Sequence, residues 1–402
     1  MPTQPFTAAF AAALAEAEQL IAGAPHVKSE LDLAEGLDYL SGSAQACLHL
    51  AWAYERDFPF FVASTGPYTK MGLDNPDTLY WHAYLRDDAE YIISGTRGTT
   101  ADLSFQVLKG DYTPVEVPDS LTAFDDRAIE IGPDGEFEFR FGPAREDSAS
   151  HGPAKNYFTL GPGSAMLAVR EVHSDWATER RGSIRIRRAG ADGLAPPAAA
   201  GTEAAAKRYA VAGKLLLSRI KTFLAFPEWF YLNEPANTLT PPRRTPGGLA
   251  TQFSSVGHYD LAGDEVMIVD VPAAPKEVAP YQGIQLGSMW YISLDYVHHQ
   301  TSLTADQARI DPDGRMRFVI SERDPGVANW LEQTGHDRGY VQLRWQRLTR
   351  DLGPEDGPEF AVVPVSEIPE RLPYYGSARV TPDEWRARIA ARQAAVAERM
   401  IG

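Results

Sequence analysis

The pattern that most restricts the fold of this chain occurs twice. Ile131-Gly132-Pro133-Asp134-Gly135-Glu136-Phe137-Glu138-Phe139, preceded by Ser120-Leu121-Thr122, is matched by Ile310-Asp311-Pro312-Asp313-Gly314-Arg315-Met316-Arg317-Phe318, preceded by Ser302-Leu303-Thr304. Each copy reads as strand, Pro-Asp-Gly turn, strand: proline sets φ at the first turn position, and glycine supplies the positive φ that a side chain resists. Downstream, Asn156-Tyr157 precedes Leu167-Ala168-Val169-Arg170, and Asn329-Trp330 precedes Val341-Gln342-Leu343-Arg344. Pro-Asp-Gly turns recur in unrelated β proteins, but matched elements in one order argue for tandem duplication of a β module.

Period-two alternation fills the stretches around these turns. Leu79, Trp81, Ala83 and Leu85 alternate with Tyr80, His82 and Tyr84, and Phe137, Phe139 and Phe141 alternate with Glu136, Glu138 and Arg140. This is the pattern of antiparallel sheets with one buried face. Helical spacing is confined to other segments. Leu33, Leu37, Leu40, Ala44, Cys47, Leu48 and Ala51 share a helical face, with Ser29 and Asp32 as a capping pair and an end expected near Phe58-Pro59. A second helix is expected over Thr202 to Phe226, closed by Pro227, and a third over Pro382 to Met400. Strands run together without helices between them, which excludes parallel βαβ units. The expected fold is mainly β with helical additions (α+β): two related antiparallel β-sandwich or jelly-roll-like units plus N-terminal, central and C-terminal helices. The boundaries read as 1–58 for the N-terminal helical segment, 59–190 for the first β unit and 191–250 for a linker with the central helix. The second β unit takes 251–365, and the C-terminal segment takes 366–402.

Charge and motif content exclude several function classes. With 38 Lys+Arg against 54 Asp+Glu, the net charge of −16 repels phosphate backbones and anionic membrane surfaces. No apolar run reaches the roughly 18 residues that span a bilayer. The N-terminal stretch lacks a basic n-region and reads as an amphipathic helix, so a cytoplasmic location is expected. The single cysteine, Cys47, excludes an internal disulfide framework and any multi-cysteine metal site. The Rossmann glycine fingerprint, the P-loop and the Gly-x-Ser-x-Gly elbow are all absent, so no nucleotide cofactor is expected. His298-His299 would point to opposite faces of a strand, so no metal is expected, a carboxylate-assisted site being the weaker alternative.

A run in the second half resembles a known family. Gln285-Leu286, Trp290, Ser293-Leu294-Asp295-Tyr296, Ala308-Arg309, Asp313-Gly314, Asp324-Pro325-Gly326, Asn329-Trp330-Leu331, Gly335-His336, Gly339 and Arg344-Trp345 are similar to the bacterial domain-of-unknown-function family numbered 1214. Asp74-Asn75-Pro76-Asp77-Thr78-Leu79-Tyr80 and Leu103-Ser104-Phe105 resemble the N-terminal portion of longer members. The resemblance covers roughly Leu73 to Val363. It implies a largely β chain with jelly-roll-like sheets and carries over no catalytic residue.

Proton-transfer groups concentrate between Trp290 and His299. Read as one strand, this segment puts Ser293, Asp295, Val297 and His299 on one face, so that Asp295 and His299 could share a ligand. The plainer reading is an edge strand with solvated polar groups. His336 sits between glycines in a loop, either as a functional group or as a turn cap. Arg170 and Arg344 occupy matched places beside apolar neighbours. Each either clamps a carboxylate ligand or, the more expected case, makes a structural ion pair, with Asp324 a partner for Arg344 or merely the start of a turn. Trp229, Phe230 and Tyr231, following Phe223 and Phe226, line a pocket or belong to core.

These residues frame two hypotheses. The first is a cofactor-independent lyase or isomerase acting on a small apolar or aromatic substrate. Asp295 would be its base, Tyr296 or His336 its acid, and Arg344 or Arg309 the stabiliser of negative charge. Trp290, His299, Trp330, Tyr80 and Arg170 would contact the substrate. The second is a non-catalytic β-sandwich binding module for carbohydrate, small ligand or partner protein. Homodimerisation through an exposed sheet or the terminal helices accompanies either. A deep pocket holding Asp295 or His336 favours the enzyme.

Overall fold

The computed structural model describes residues 5–110, 118–144, 156–195, 197, 200–230, 232–244 and 252–401. The alternating segments form two β units, and the first contains β1 (Thr78–Tyr84), β2 (Tyr91–Thr96), β3 (Asp102–Leu108) and β4 (Ser120–Asp125). It continues with β5 (Glu136–Gly142), β6 (Tyr157–Thr159), β7 (Met166–Val172) and β8 (Ser183–Arg188). The strands make two sheets, ordered β1-β7-β3-β4 and β6-β5-β2-β8. Their facing sides close over one core in which Leu103, Phe105, Val107 and Val169 meet Ile93, Phe137, Phe139 and Phe141. The three phenylalanines that alternate along β5 are thus the inward residues, as their spacing predicts.

The second unit opens with short β9 (Thr238–Leu239) and β10 (Arg243–Arg244), followed by β11 (Phe253–Asp260), β12 (Glu265–Pro272) and β13 (Tyr281–Gly287). It ends with β14 (Ser302–Thr304), β15 (Arg315–Ser321), β16 (Trp330–Glu332), β17 (Arg338–Gln346) and β18 (Glu359–Pro364). Its sheets run β10-β11-β17-β13-β14, with β9 on β11, and β16-β15-β12-β18. Strand for strand, β11 to β18 repeat the order of β1 to β8. The repeat extends to the pairing sense, since β5 with β6 and β15 with β16 are parallel while the neighbouring pairs are antiparallel. Gly135 and Gly314 both have φ 79°, and each follows the same turn, with the glycine N–H donating to the carbonyl three residues back.

Three details differ from the sequence reading. Before the first Pro-Asp-Gly turn there is only a single bridge, Ile131 with Phe137, and before the second there is no strand, so each turn leads into a strand without completing a hairpin. The two Ser-Leu-Thr triplets lie in corresponding strands at different registers. Leu303 pairs Ile284, whereas the residue matching Ile284 in the first unit, Phe105, pairs Phe124. The segment Trp290 to His299 is not a strand: Tyr291 takes φ 58°, and the chain turns through Asp295.

Helices fill the space beside the sheets. α1 (Ala8–Ala22), α2 (Glu30–Trp52) and α3 (Thr202–Phe230) meet through Ala17, Ile21, Leu40, Cys47, Leu216 and Ile220, with Trp290 inserted among them. α2 starts on the expected capping box, Ser29 Oγ accepting from Asp32 N–H at 3.1 Å and Asp32 accepting from Ser29 N–H at 2.9 Å. It ends at Trp52, short of Phe58-Pro59, and α3 runs on through Pro227, which sits in its final turn. The short helices α4 (Ile368–Arg371) and α5 (Tyr375–Ala378), with α6 (Pro382–Ile401), cover the outer side of the β16-β15-β12-β18 sheet. There Trp385 lies over Trp330 at 4.8 Å between ring centres.

The two units meet through buried polar contacts. Tyr281 of β13 donates to Asp77 Oδ2 at 2.6 Å, and Trp176 Nε1 donates to Asp77 Oδ1 at 2.8 Å. Trp176 is itself held between Arg392 and Arg399 of α6, whose guanidinium carbons stand 4.4 and 4.0 Å from its ring centre. Arg399 donates to Pro76 O at 3.0 Å and Arg392 to Ser302 O at 3.0 Å, so one helix holds both units.

Packing of Trp290 supplies a test of the helical layer. A Cβ at Gly36 would lie 2.3 Å from Trp290 Cζ2 and 2.8 Å from Ile21 Cγ2. Overpacking of this kind costs about 1–3 kcal/mol, and contact with a rigid indole puts it at the upper end, above the roughly 1 kcal/mol that alanine gains over glycine in a helix. Gly36→Ala is predicted to lower the urea midpoint with an unchanged m-value; an unchanged or raised midpoint would show that α2 does not seat on Trp290.

Candidate functional site

The outer faces of the β1-β7-β3-β4 sheet and the β11-β17-β13 sheet are turned toward each other, with α2 and α3 along one side. Between them lies a cavity of about 160 Å³. β1 contributes Tyr80 and His82, the residues whose alternation points away from the sandwich core. β7 contributes Met166, Ala168 and Arg170, and β17 contributes Gln342, Arg344 and Gln346. α3 supplies Leu215, Arg219, Phe223 and Phe226, and the segment before β1 supplies Ser64, Thr65 and Leu73 to Asn75.

Three guanidinium groups define the electrostatics. Arg170 Nη1 donates to Gln106 Oε1 at 2.8 Å. Arg344 donates from Nη1 to Gln285 Oε1 and from Nη2 to Leu73 O. Arg219 donates to the carbonyls of Thr69 and Lys70 at 3.2 and 3.1 Å. Arg219 and Arg344 are only 6% and 7% exposed, yet among the described residues none of the three has a carboxylate at ion-pair distance. The ion-pair reading of Arg170 and Arg344 is thereby corrected. Asp324 accepts from Gly326 N–H at 2.7 Å and does no more than open its turn.

Among the described residues, the acceptors of these guanidinium protons at hydrogen-bond distance are neutral, which orients the cation without cancelling its charge. Among the described residues Asp74 is the one carboxylate on the cavity wall, and it accepts from Ser293 N–H and Oγ at 3.1 and 2.9 Å. Several other buried lining atoms have no partner among the described residues: Arg219 Nε, Gln342 Oε1, Gln346 Oε1, Thr65 Oγ1 and Thr78 Oγ1. Buried polar atoms are nearly always satisfied, so this concentration marks a place built for polar company.

His82 and Tyr80 are the titratable rings of the site. Burial first, then the positive fields of Arg170 and Arg219, push His82 down to about 3 and keep it neutral. An antiparallel bridge between Val62 and His82 sets Ser64 two residues on, with Ser64 Oγ 2.8 Å from His82 Nδ1. Tyr80 accepts from Asn75 N–H at 2.9 Å, and burial pushes its phenol above the ordinary value.

Of the sequence-selected residues, Tyr80, Arg170 and Arg344 reach this cavity, and the others lie elsewhere. Asp295 caps its own turn, accepting from the N–H groups of Val297 and His298 and contacting the His298 ring at 2.8 Å. Burial works to raise its carboxyl, but these bonds outweigh it and hold it below the usual range. His299 contacts Glu332 at 2.9 Å, so Asp295 and His299 do not share a ligand face. Tyr296 is buried with Trp176 and Val396 under α6, its phenol pushed up by burial. His336 is buried against Gln333 O at 2.9 Å and Glu35 Oε2 at 3.3 Å; burial depresses its ring, but the Glu35 contact wins and raises it.

Arg309 donates to Ser377 and ties α5 to the second unit. Trp290 and Trp330 are core residues, donating to Asp32 O and Ser321 O at 2.8 and 2.9 Å. Phe223 and Phe226 do line the cavity, whereas Tyr231 and the Phe230 side chain lie outside the described residues. Arg219, Asp74, Ser64 and the two glutamines were missed. Arg219 alone left a signal, a cation four residues from both Leu215 and Phe223 on the apolar stripe of its helix.

Among the described residues there is no group of three or more His, Cys, Asp or Glu side chains that could hold a metal ion, and no helix is long and apolar enough to cross a membrane. No protein-family model and no curated protein matches the chain. Among solved structures, the chain is similar to an uncharacterized protein from Burkholderia cenocepacia, with 27% identity over 90% of this chain and 98% of that one and a TM-score of 0.78. The VPA0106 protein from Vibrio parahaemolyticus is more distant, at 13% identity over 81% of this chain and 98% of that one, with a TM-score of 0.45.

Proposed function

We propose that the chain binds a small organic anion with an apolar body in the cavity between its two units. The convergence of Arg170, Arg219 and Arg344 on one cavity, each oriented by neutral carbonyls, carries this reading. A buried cation without a counter-ion costs several kcal/mol, and an anion seated among three of them offsets that cost. Phe223, Phe226, Leu215 and Met166 on the same wall suit an apolar or aromatic body. The repeated strand order, and an Arg–Gln pair at the same place in each unit, support an origin by tandem duplication. A sequence with a single cysteine, Cys47, fits a cytoplasmic chain.

A second reading makes the same cavity an acid–base active site of the lyase or isomerase class. The Ser64–His82 contact favours it, with Tyr80 as the neighbouring acid and the arginines stabilising negative charge as it develops. In this reading the proton-transfer role passes from Asp295 and His336 to His82 and Tyr80.

The anion reading is tested by thermal unfolding with phenylacetate and with phenylacetamide as its neutral counterpart. The carboxylate is predicted to raise the Tm in the millimolar range and the amide to leave it unchanged. Arg219→Gln should weaken the carboxylate by about 10- to 100-fold, the worth of one charged hydrogen bond. A folded chain that no carboxylate stabilises would remove the proposal.

A further prediction concerns pH. Unfolded, His82 takes a proton near 6.5; folded, it waits until about 3. Its neutral ring therefore supports full stability above pH 6.5 and loses it as pH falls toward 3, at most about 1.4 kcal/mol per pH unit. His26 and His173, depressed by burial to about 4 and about 3, act with the same sign. His82→Gln is predicted to make the fall in urea stability between pH 7 and pH 5 shallower without abolishing it. Equal slopes in both proteins would mean that the folded ring titrates normally.

A further inference from the structure

Resting on the anion-binding reading, the geometry points to a ligand with two carboxylates, one taken by the first unit and one by the second. Register fixes the correspondence. Arg170 of β7 pairs Ser104 of β3, and Arg344 of β17 pairs Gly283 of β13, so the two arginines hold equivalent positions. Two residues further along those partner strands stand Gln106 and Gln285, also equivalent, and each accepts from the Nη1 of its own arginine. Each unit thus presents the same device to one cavity: a guanidinium aimed by a glutamine amide on the neighbouring strand. The amide oxygen fixes the direction of the fork and leaves its charge for a visitor. The remaining N–H groups of such a fork match the two oxygens of a carboxylate.

Charge count agrees with the duplication of the device. Among the described residues, the cavity wall carries Arg170, Arg219 and Arg344 against the single carboxylate of Asp74, a surplus of two positive charges. A monoanion leaves one of them uncompensated in a buried setting, whereas a dianion neutralises both. Two like devices, one from each unit, favour two carboxylates over one doubly charged phosphate, and Met166, Leu215, Phe223 and Phe226 on the same wall suit the carbon chain that joins them.

Isothermal titration calorimetry on the full chain tests this with straight-chain dicarboxylates from succinate to suberate and with the monocarboxylate of each chain length. One dicarboxylate length is expected to bind at least tenfold more tightly than its monocarboxylate counterpart. Arg170→Gln and Arg344→Gln are each expected to erase that advantage while the variant still binds the monocarboxylate. The comparison on the unaltered chain needs no variant, so misfolding cannot mask the answer. If monocarboxylates bind and no dicarboxylate does better, the two-point ligand is overturned and the anion site stands. If phenyl phosphate binds more tightly than every dicarboxylate, the two-point ligand is again overturned. If no anion binds, both readings fall.

Discussion

The architecture depends on two sheets that are buried on both faces. A sandwich ordinarily closes one side of each sheet and gives the other to solvent, yet every residue of β3 and of β13 is buried, and all but the first of β17. Such sheets need a second cover, and each unit supplies it by turning its outer face toward the other unit and toward α2 and α3. The polar residues on those outer faces, which a solvent-facing sheet would hydrate, are instead enclosed. That enclosure buries Arg344 and Gln342 and half-buries Arg170, and it obliges the junction to be satisfied by hydrogen bonds such as those of Asp77 with Tyr281 and Trp176.

The same constraint explains which parts of the fold were legible beforehand. Alternation in β1 and β5 and the capping box of α2 are local signals, and each appears where the pattern placed it. The matched positions of Arg170 and Arg344 could be read because sequence order carries strand order within each unit. The meeting of the two outer faces could not, since nothing local to β7 or β17 says what covers it. For that reason the arginines read most naturally as members of ion pairs. Glutamine partners on adjacent strands emerge only from register.

Polar density misled at Trp290 to His299. A strand there would have aligned Asp295 with His299, but Asp295 spends its carboxylate on the N–H groups of its own turn, and Tyr291 adopts a left-handed backbone. Aspartate followed by exposed polar residues is as good a turn signal as a catalytic one. Arg219 shows the opposite failure. A cation on an apolar helical stripe is a conflict between local pattern and environment, and such conflicts gather at functional sites.

The repeated frame of the cavity carries unequal walls. Where the first unit has Ala168 the second has Gln342, and where the first has Tyr80 the second has Ser254, although the flanking arginines and glutamines are alike. Substitution at Ala168, Gln342 or Tyr80 alters only one half of the chamber, and the opposite half keeps its shape. Under the proposed two-point binding, a lineage carrying this chain could retune one end of its ligand preference while the other end serves as a fixed anchor, a freedom that a pocket built from a single unit does not have.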